Sequence, residues 1–340
     1  MTDNLLIEKK KIESKIDDIL DNEIIKYENN EFIKDTLYEI KRLTKKGKRV
    51  RGYLIKLGQE LYGLDDDSYL TLAAAIEIFQ TAILIHDDII DEAEERRSEK
   101  TINYKYPGHY GISKAICIGD YGFFLAYDII SNLSLPDSVK VNIMKVYSKT
   151  LYNTVVGEII DVELPYKNKD FHLSMDEKII YDIYVNKTAW YTIIGPLLIG
   201  AYSTDYKNID EKTIILIGTY LGIAFQIKDD LLGLDIESNS MGKTLNDIKE
   251  GKQTIIYKHA INNMDEEDLS YIKKHYGNLK VTLDESKNII AIFDKTKSRS
   301  YAQSLVDEYT NKAIKLIESL DIKGKEKLIE FSNYLLNRKN

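Results

Sequence analysis

An all-α fold follows from three features of the sequence. Apolar residues recur at helical spacing along almost the whole chain, and no strand-like alternation competes with them. Proline, which breaks helix interiors, stands only at positions 107, 136, 165 and 196. Connections are short and carry turn residues, as in Gly63-Leu64-Asp65, Tyr106-Pro107-Gly108 and Ser238-Asn239-Ser240. The periodicity predicts helices at roughly 4–28, 31–42, 49–62, 67–92, 111–131, 137–161, 175–201, 209–234, 251–260, 265–275, 284–318 and 323–337. No linker, internal repeat or low-complexity tract divides the 340 residues, so the chain reads as one domain, 1–340, a single helical bundle. The stretches 67–92 and 209–234 are the most apolar, and a helix apolar on most sides must be covered on most sides, so both are expected at the centre.

Composition narrows the function. Hydrophobic residues make up 44%, enough for a core. The single cysteine, Cys117, excludes an internal disulfide and fits a reducing, cytoplasmic setting. The N-terminal MTDNLLIEKKKIESK has no apolar h-region and does not read as a signal peptide. A net charge of -8 argues against nucleic acid as a partner, so an anionic substrate would need a local basic cluster. Leu70 to Ile90 is apolar but contains Glu77, Gln80, His86, Asp87 and Asp88, and Ile214 to Ile227 is too short to span a bilayer. Both read as buried helices of a soluble protein without a transmembrane segment.

The chemistry lies in two aspartate clusters. His86-Asp87-Asp88-Ile89-Ile90-Asp91 closes the first apolar helix, with Asp87 and Asp91 on one face and Asp88 about 100° round. Neighbouring carboxylates repel, and a divalent cation removes the penalty. Magnesium suits this role because it prefers oxygen ligands and commonly bridges carboxylates to substrate phosphates. An acidic helix end facing water is the plain alternative for one such cluster. A second cluster weakens that alternative: Phe225-Gln226-Ile227-Lys228-Asp229-Asp230 closes the other apolar helix. Two buried helices ending in paired aspartates suggest a shared cavity with metal held from both sides. A di-iron bundle would want Glu-x-x-His, but Glu77 is followed three residues later by Gln80. His86 is expected to be a packed, hydrogen-bonded histidine.

Basic residues stand ready for an anion. Gly47-Lys48-Arg49-Val50-Arg51 opens a helix, so Lys48 and Arg51, three apart, are expected on one side, with backbone donors and the helix dipole beside them. Arg96-Arg97 follows the first aspartates, and adjacent side chains diverge, so the pair could serve two anions. Lys243 and Lys252 follow the second cluster, and Lys187-Thr188 sits inside an apolar helix, where a lysine needs a partner anion or a route to water. Each of these, taken singly, is matched by a solvated or salt-bridged reading.

Together, GKRVR, HDDIID, Arg96-Arg97, GEIID at Gly157 to Asp161, KT, FQIKDD, GK and EGK resemble the trans-isoprenyl diphosphate synthases, or polyprenyl synthetase family, over roughly residues 40–260 in one order. The resemblance implies a helical bundle around a deep central cavity, of the isoprenoid synthase type, that elongates an allylic diphosphate (dimethylallyl, geranyl or farnesyl) with isopentenyl diphosphate. It further implies three magnesium ions per site, replaceable by manganese, and a homodimer. Asp87, Asp88 and Asp91 then match the first metal-binding motif, and Asp229 and Asp230 the second, with Asp229 the more direct ligand. Arg96, Lys187, Thr188, Gln226, Lys243 and Lys252 match the allylic diphosphate site. Lys48, Arg51, Gln80 and Arg97 match the isopentenyl diphosphate site. The chain departs from the family at Gly233, where a third aspartate is usual, at Gln80 for histidine, at Gly52 for proline and at Ser98 for glycine.

In the family, bulk a turn or more before the first aspartate limits product length. Ala82 is small and Ile83 is not aromatic, so the next stop is Phe79, which implies a product of twenty carbons or more, with geranylgeranyl diphosphate the leading expectation; Tyr152 or Val156 could override it. A terpene cyclase of related fold would leave Lys48, Arg51, Gln80 and Arg97 idle. A regulatory subunit of a synthase should have lost one aspartate cluster.

Overall fold

The computed structural model describes residues 3–167, 174–204, 206–235 and 246–337. Helices dominate as expected; the only strands among the described residues form a two-residue hairpin, Glu95–Arg96 paired with Glu99–Lys100. The chain forms two compact units: residues 1–147, 196–209 and 322–324, and residues 148–195, 210–321 and 325–340.

The first unit is built on the Leu70–Ile90 helix, packed against Asp3–Lys26, Val50–Leu61 and Gly108–Ser131. By length and composition the 67–90 stretch could cross a membrane, yet 67% of its most apolar window is buried inside the protein. Small residues let its neighbours approach. Ala82 packs on Gly122, and the His86 ring fills the space beside Gly119, where a Cβ would collide with it. Every residue of the Val50–Leu61 helix is buried. This helix meets Gly195–Tyr202 backbone to backbone: a Cβ on Gly58 would run into the Leu197 carbonyl, and one on Gly200 into that of Ile55.

The second unit is built on the Glu211–Gly233 helix, which Asp210 caps by accepting from the Thr213 amide. It packs against Ser298–Ser319, and against Tyr184–Ile194 through Gly218 on Ile194 and Gly222 on Ala189.

Four local features depart from the periodicity. The 175–201 helix is three pieces: Lys178–Ile183, a π-helical Tyr184–Ile194 and Gly195–Tyr202. The Gly195 amide reaches back to the Trp190 carbonyl. Pro196 follows at once; in a regular α-helix its ring would press on the carbonyl of Thr192. The 284–318 helix is broken into Leu283–Lys295 and Ser298–Ser319 at Lys297, whose φ is +58°. There the Thr296 and Ser298 hydroxyls bond each other at 2.7 Å and His259 Nδ1 bonds Ser298 Oγ at 2.9 Å, local bonds that compete with helix continuation. The helix expected at 251–260 runs Ile255–Asn263, and Asn246–Glu250 forms a short helix of its own. The helix expected from 49 begins at Val50, after a left-handed Arg49.

The backbone contact at Gly58 and Gly200 has a direct consequence. Gly58→Val or Gly200→Val should lower unfolding stability by about 1–3 kcal/mol through overpacking. Urea denaturation followed by circular dichroism measures it, and an unchanged midpoint would contradict the close approach.

Candidate active site

Asp87, Asp88 and Asp91 stand where the Leu70–Ile90 helix ends, and the Asp91 amide still bonds the Asp87 carbonyl at 2.8 Å. That is the negative end of the helix dipole, the less favourable end for carboxylates. Arg96 answers both: Nη2 donates to Asp87 Oδ2 at 2.8 Å, and Nε to Asp88 Oδ1 at 2.5 Å. Burial works against the Arg96 charge, but Asp87 and Asp88 outweigh it, with help from Asp91, and raise its pKa. His86 is packed as expected, its Nε2 3.2 Å from the Ile116 carbonyl and its ring edge-on to Phe123.

Arg96 sits in the hairpin strand, while Arg97 and Ser98 form its two-residue turn with φ of +54° and +60°. Asparagine and glycine are the usual occupants of such a turn, so this one carries backbone strain. Burial depresses the Arg97 pKa, and the Arg96 charge adds to the effect. A cleft brings Arg96, Arg97 and Asp88 together with Thr81, Arg42 and Lys46. Arg42 and Lys46 were absent from the sequence assignment. Their only signal was the basic run 41–49, which reads equally as a solvated turn. Arg42 binds Glu39 at 2.6 Å, and Lys46 binds Glu99 at 2.9 Å.

The basic turn is built differently from the sequence expectation. Lys48 lies before the helix and is exposed, Arg49 is its left-handed N-cap, and Arg51 is buried in its first turn. Helical spacing therefore does not carry Lys48 and Arg51 to one face. One backbone donor of that helix end is also taken, because the Gly52 amide donates to Glu77 Oε1 at 3.0 Å. Gln80 is half-buried one turn beyond Glu77.

In the second unit the π-helical segment presents Lys187 and Thr188. Lys187 Nζ lies 2.6 Å from Asp161 Oδ2 and 2.8 Å from Glu158 Oε2, and Lys252 Nζ lies 3.0 Å from the same Asp161 oxygen. Burial opposes the Asp161 charge, but Lys187 and Lys252 hold its carboxyl below the usual range. The segment comes this close because Gly157 lies against the Lys187 backbone, where a Cβ would collide. The sequence placed Gly157 and Asp161 in a motif without a role for either side chain.

Asp229 and Asp230 lie in the last turn of the Glu211–Gly233 helix. Asp230 is buried and bound on both oxygens: Tyr184 donates to Oδ2 at 2.5 Å and Gln226 Nε2 to Oδ1 at 2.8 Å. Thr188 Oγ1 donates to Gln226 Oε1 at 2.6 Å, and Tyr184 accepts the Ile255 amide at 3.0 Å. Burial, then the nearby Asp247, push the Asp230 carboxyl up to about 8 against those two donors. Asp247 also stands over the glycine departure, its Oδ2 3.1 Å from where a Gly233 Cβ would be. Lys243 lies outside the described residues.

Among the described residues no group of three or more His, Cys, Asp or Glu side chains forms a ready-made metal cage. Of the residues read as setting product length, Phe79 is fully buried, its ring 5.7 Å from Phe123 and 5.2 Å from Tyr147. Ala82 abuts Gly122, and Ile83 is half-buried.

Known proteins resemble this chain in sequence and in fold. The polyprenyl synthetase family pattern matches residues 34–293. The geranylgeranyl diphosphate synthase of Sulfolobus acidocaldarius is 30% identical over 83% of this chain and 84% of its own length. The short chain isoprenyl diphosphate synthase of Methanocaldococcus jannaschii is 31% identical over 72% of each. The fold matches the crystal structure of geranylgeranyl pyrophosphate synthase from Corynebacterium glutamicum, complexed with isoprenyl diphosphate and magnesium, with a TM-score of 0.87 at 22% identity, over 96% of this chain and 97% of that one. The chain belongs to the polyprenyl synthetase family.

The Gly233–Asp247 contact predicts a charge conflict. Gly233→Asp should be less stable than Gly233→Asn at neutral pH without metal, by about 1 kcal/mol, as for like charges held close. Asp247→Asn should close the gap. Equal denaturation midpoints for the two Gly233 variants would contradict the contact.

Proposed function

We propose that the chain is a prenyltransferase that condenses isopentenyl diphosphate with an allylic diphosphate to give an all-trans prenyl diphosphate of twenty carbons or more, with geranylgeranyl diphosphate the leading product. We read both units as one synthase domain acting in the cytoplasm. The observation that carries the proposal is that paired aspartates end a buried helix in each unit, with phosphate-binding residue types bonded to them: Arg96 on Asp87 and Asp88, Gln226 on Asp230.

The donor set fits magnesium. All candidate ligands are hard carboxylate oxygens, and burial and the nearby Asp247 push the Asp230 carboxyl up to about 8. Magnesium commonly binds through one or two carboxylates plus waters and substrate phosphates, so a protein-built cage is not required. Because Tyr184 and Gln226 occupy both Asp230 oxygens, Asp229 is the direct ligand of the second motif and Asp230 holds its surroundings in place. Three ions per site, with manganese as a substitute, complete this reading. When bound, the metal supplies Lewis-acid stabilisation of the diphosphate.

The chain's residues do the rest. Arg96, Lys187, Lys252 and Lys243 bind the allylic diphosphate and meet the charge that grows on it as the carbon–oxygen bond breaks. That bond's electrons leave with the diphosphate. The double bond of isopentenyl diphosphate, held by Lys48, Arg51, Gln80 and Arg97, attacks the resulting allylic cation. A proton is then lost to the released diphosphate, so no side-chain base is needed. Apolar walls keep water from quenching the cation. Phe79, with Phe123 and Tyr147 behind it, is the floor that the growing tail meets. A homodimer is supported by the apolar stripe of Ile112, Ile116, Phe124 and Tyr127, left exposed on one face of the Gly108–Ser131 helix.

Asp87→Ala and Asp229→Ala should each reduce turnover by roughly 10²–10³-fold or more, on the scale of losing an electrostatic stabiliser, with the helical circular dichroism intact. Wild-type rates in Asp87→Ala would remove the metal reading. Lys187→Ala should weaken the allylic substrate by about 2–5 kcal/mol, as for a buried charge partner, and spare isopentenyl diphosphate. Mass spectrometry of the products should show twenty carbons or more, and Phe79→Ala should lengthen them. A dominant fifteen-carbon product would overturn the length assignment.

A further inference from the structure

We infer that Glu77 is the positioning residue of the basic turn: its carboxylate caps the Val50–Leu61 helix and holds Arg49, and so sets where Lys48 and Arg51 stand. The inference rests on the assignment of Lys48 and Arg51 to isopentenyl diphosphate.

The turn needs such a residue. Arg49 is the N-cap of the helix with φ +59° and ψ +30°, a left-handed conformation that a side chain adopts only when its surroundings enforce it, and its own side chain makes no cap bond. The orphan amide of Gly52 in the first turn is satisfied instead from another helix, by Glu77 Oε1 at 3.0 Å. The other oxygen, Oε2, lies 3.5 Å from Arg49 Nη1. Arg49 is held internally: it is 3% exposed, its Nη2 donates to the Thr44 carbonyl at 2.5 Å, and Glu13 is 3.5 Å away. Glu77, 1% exposed, is thus one carboxylate doing two jobs at the foot of a turn that carries three cations in four residues. It lies on the same helix as Gln80 and the first aspartates, which fixes the register of the turn against them. Its charge also supports that of Arg97, which burial and the neighbouring arginines disfavour.

Two accounts of Glu77 predict opposite signs. As a mere negative charge near an anion site, its removal should tighten isopentenyl diphosphate. As the strut of the turn, its removal should weaken that substrate, because Arg49 stays buried with Glu77 lost and Glu13 as its remaining carboxylate neighbour among the described residues, and the turn shifts.

Steady-state kinetics of the full-length protein with both substrates varied decides between them. Glu77→Gln can still accept the Gly52 amide but cannot balance Arg49. It should raise the KM for isopentenyl diphosphate about tenfold or more, and leave the allylic KM and the kcat at saturation within about twofold. An unchanged or lower KM for isopentenyl diphosphate overturns the inference. Arg49→Lys keeps the charge but loses the guanidinium fork, and should show the same split. It decides the matter if Glu77→Gln loses its helical circular dichroism. Arg51→Ala tests the underlying assignment separately. If it leaves the isopentenyl diphosphate KM unchanged, that assignment fails; if it raises the KM while Glu77→Gln and Arg49→Lys do not, the positioning role alone fails.

Discussion

Asp87 and Asp88 sit side by side at the C-terminal end of an apolar helix, where the backbone dipole is already negative, and their charge must be met by cations. Asp229 and Asp230 repeat the arrangement at the end of the other apolar helix. Burial, mutual repulsion and the dipole all oppose these charges, so each cluster persists only with compensation. In the first unit the compensation is Arg96, held on a hairpin so that one guanidinium reaches both carboxylates. In the second it is incomplete: Tyr184 and Gln226 donate to Asp230, yet its carboxyl remains pushed up to about 8. Paired carboxylates in such a setting are suited to a divalent cation, and a cation bound there is suited to a diphosphate.

The packing serves this electrostatic design. Glycine and alanine at the helix contacts bring backbones close, as at Gly157 against Lys187 and Gly222 against Ala189, and place functional side chains with little slack. Of the five non-glycine residues with left-handed backbone among the described residues, three, Arg49, Arg97 and Ser98, lie in the turns that carry the candidate phosphate-binding arginines. The charges are also paired before any substrate arrives: Lys187 and Lys252 share Asp161. A diphosphate arriving at these two lysines would exchange one anion for another.

Much of this was legible in the sequence. Apolar spacing located the helices because burial imposes it, and the paired aspartates stood out because nothing structural calls for them at the end of an apolar run. The illegible parts are those where one residue's backbone or one distant contact decides. The sequence read a helix from 49 and could not show that Arg49 turns left-handed, because Glu77, which helps hold it, comes from another helix 28 residues on. It read one helix over 175–201, since apolar spacing does not separate α from π winding across Tyr184–Ile194. It joined 284 to 318 because Thr296 and Ser298 break the helix through hydroxyl bonds that periodicity does not register. Asp161 went without a role because its two lysine partners are 26 and 91 residues away.

The central claim is that this charge arrangement transfers a prenyl group between two diphosphates with the help of a divalent cation. Release of inorganic diphosphate tests it most directly, measured with an allylic diphosphate alone, with isopentenyl diphosphate alone and with both, each with magnesium and with excess chelator. The account predicts release only when both substrates and magnesium are present. Release from the allylic diphosphate alone at the same rate would mark a cyclase or phosphatase chemistry, and release that survives chelation would contradict the role given to the aspartates.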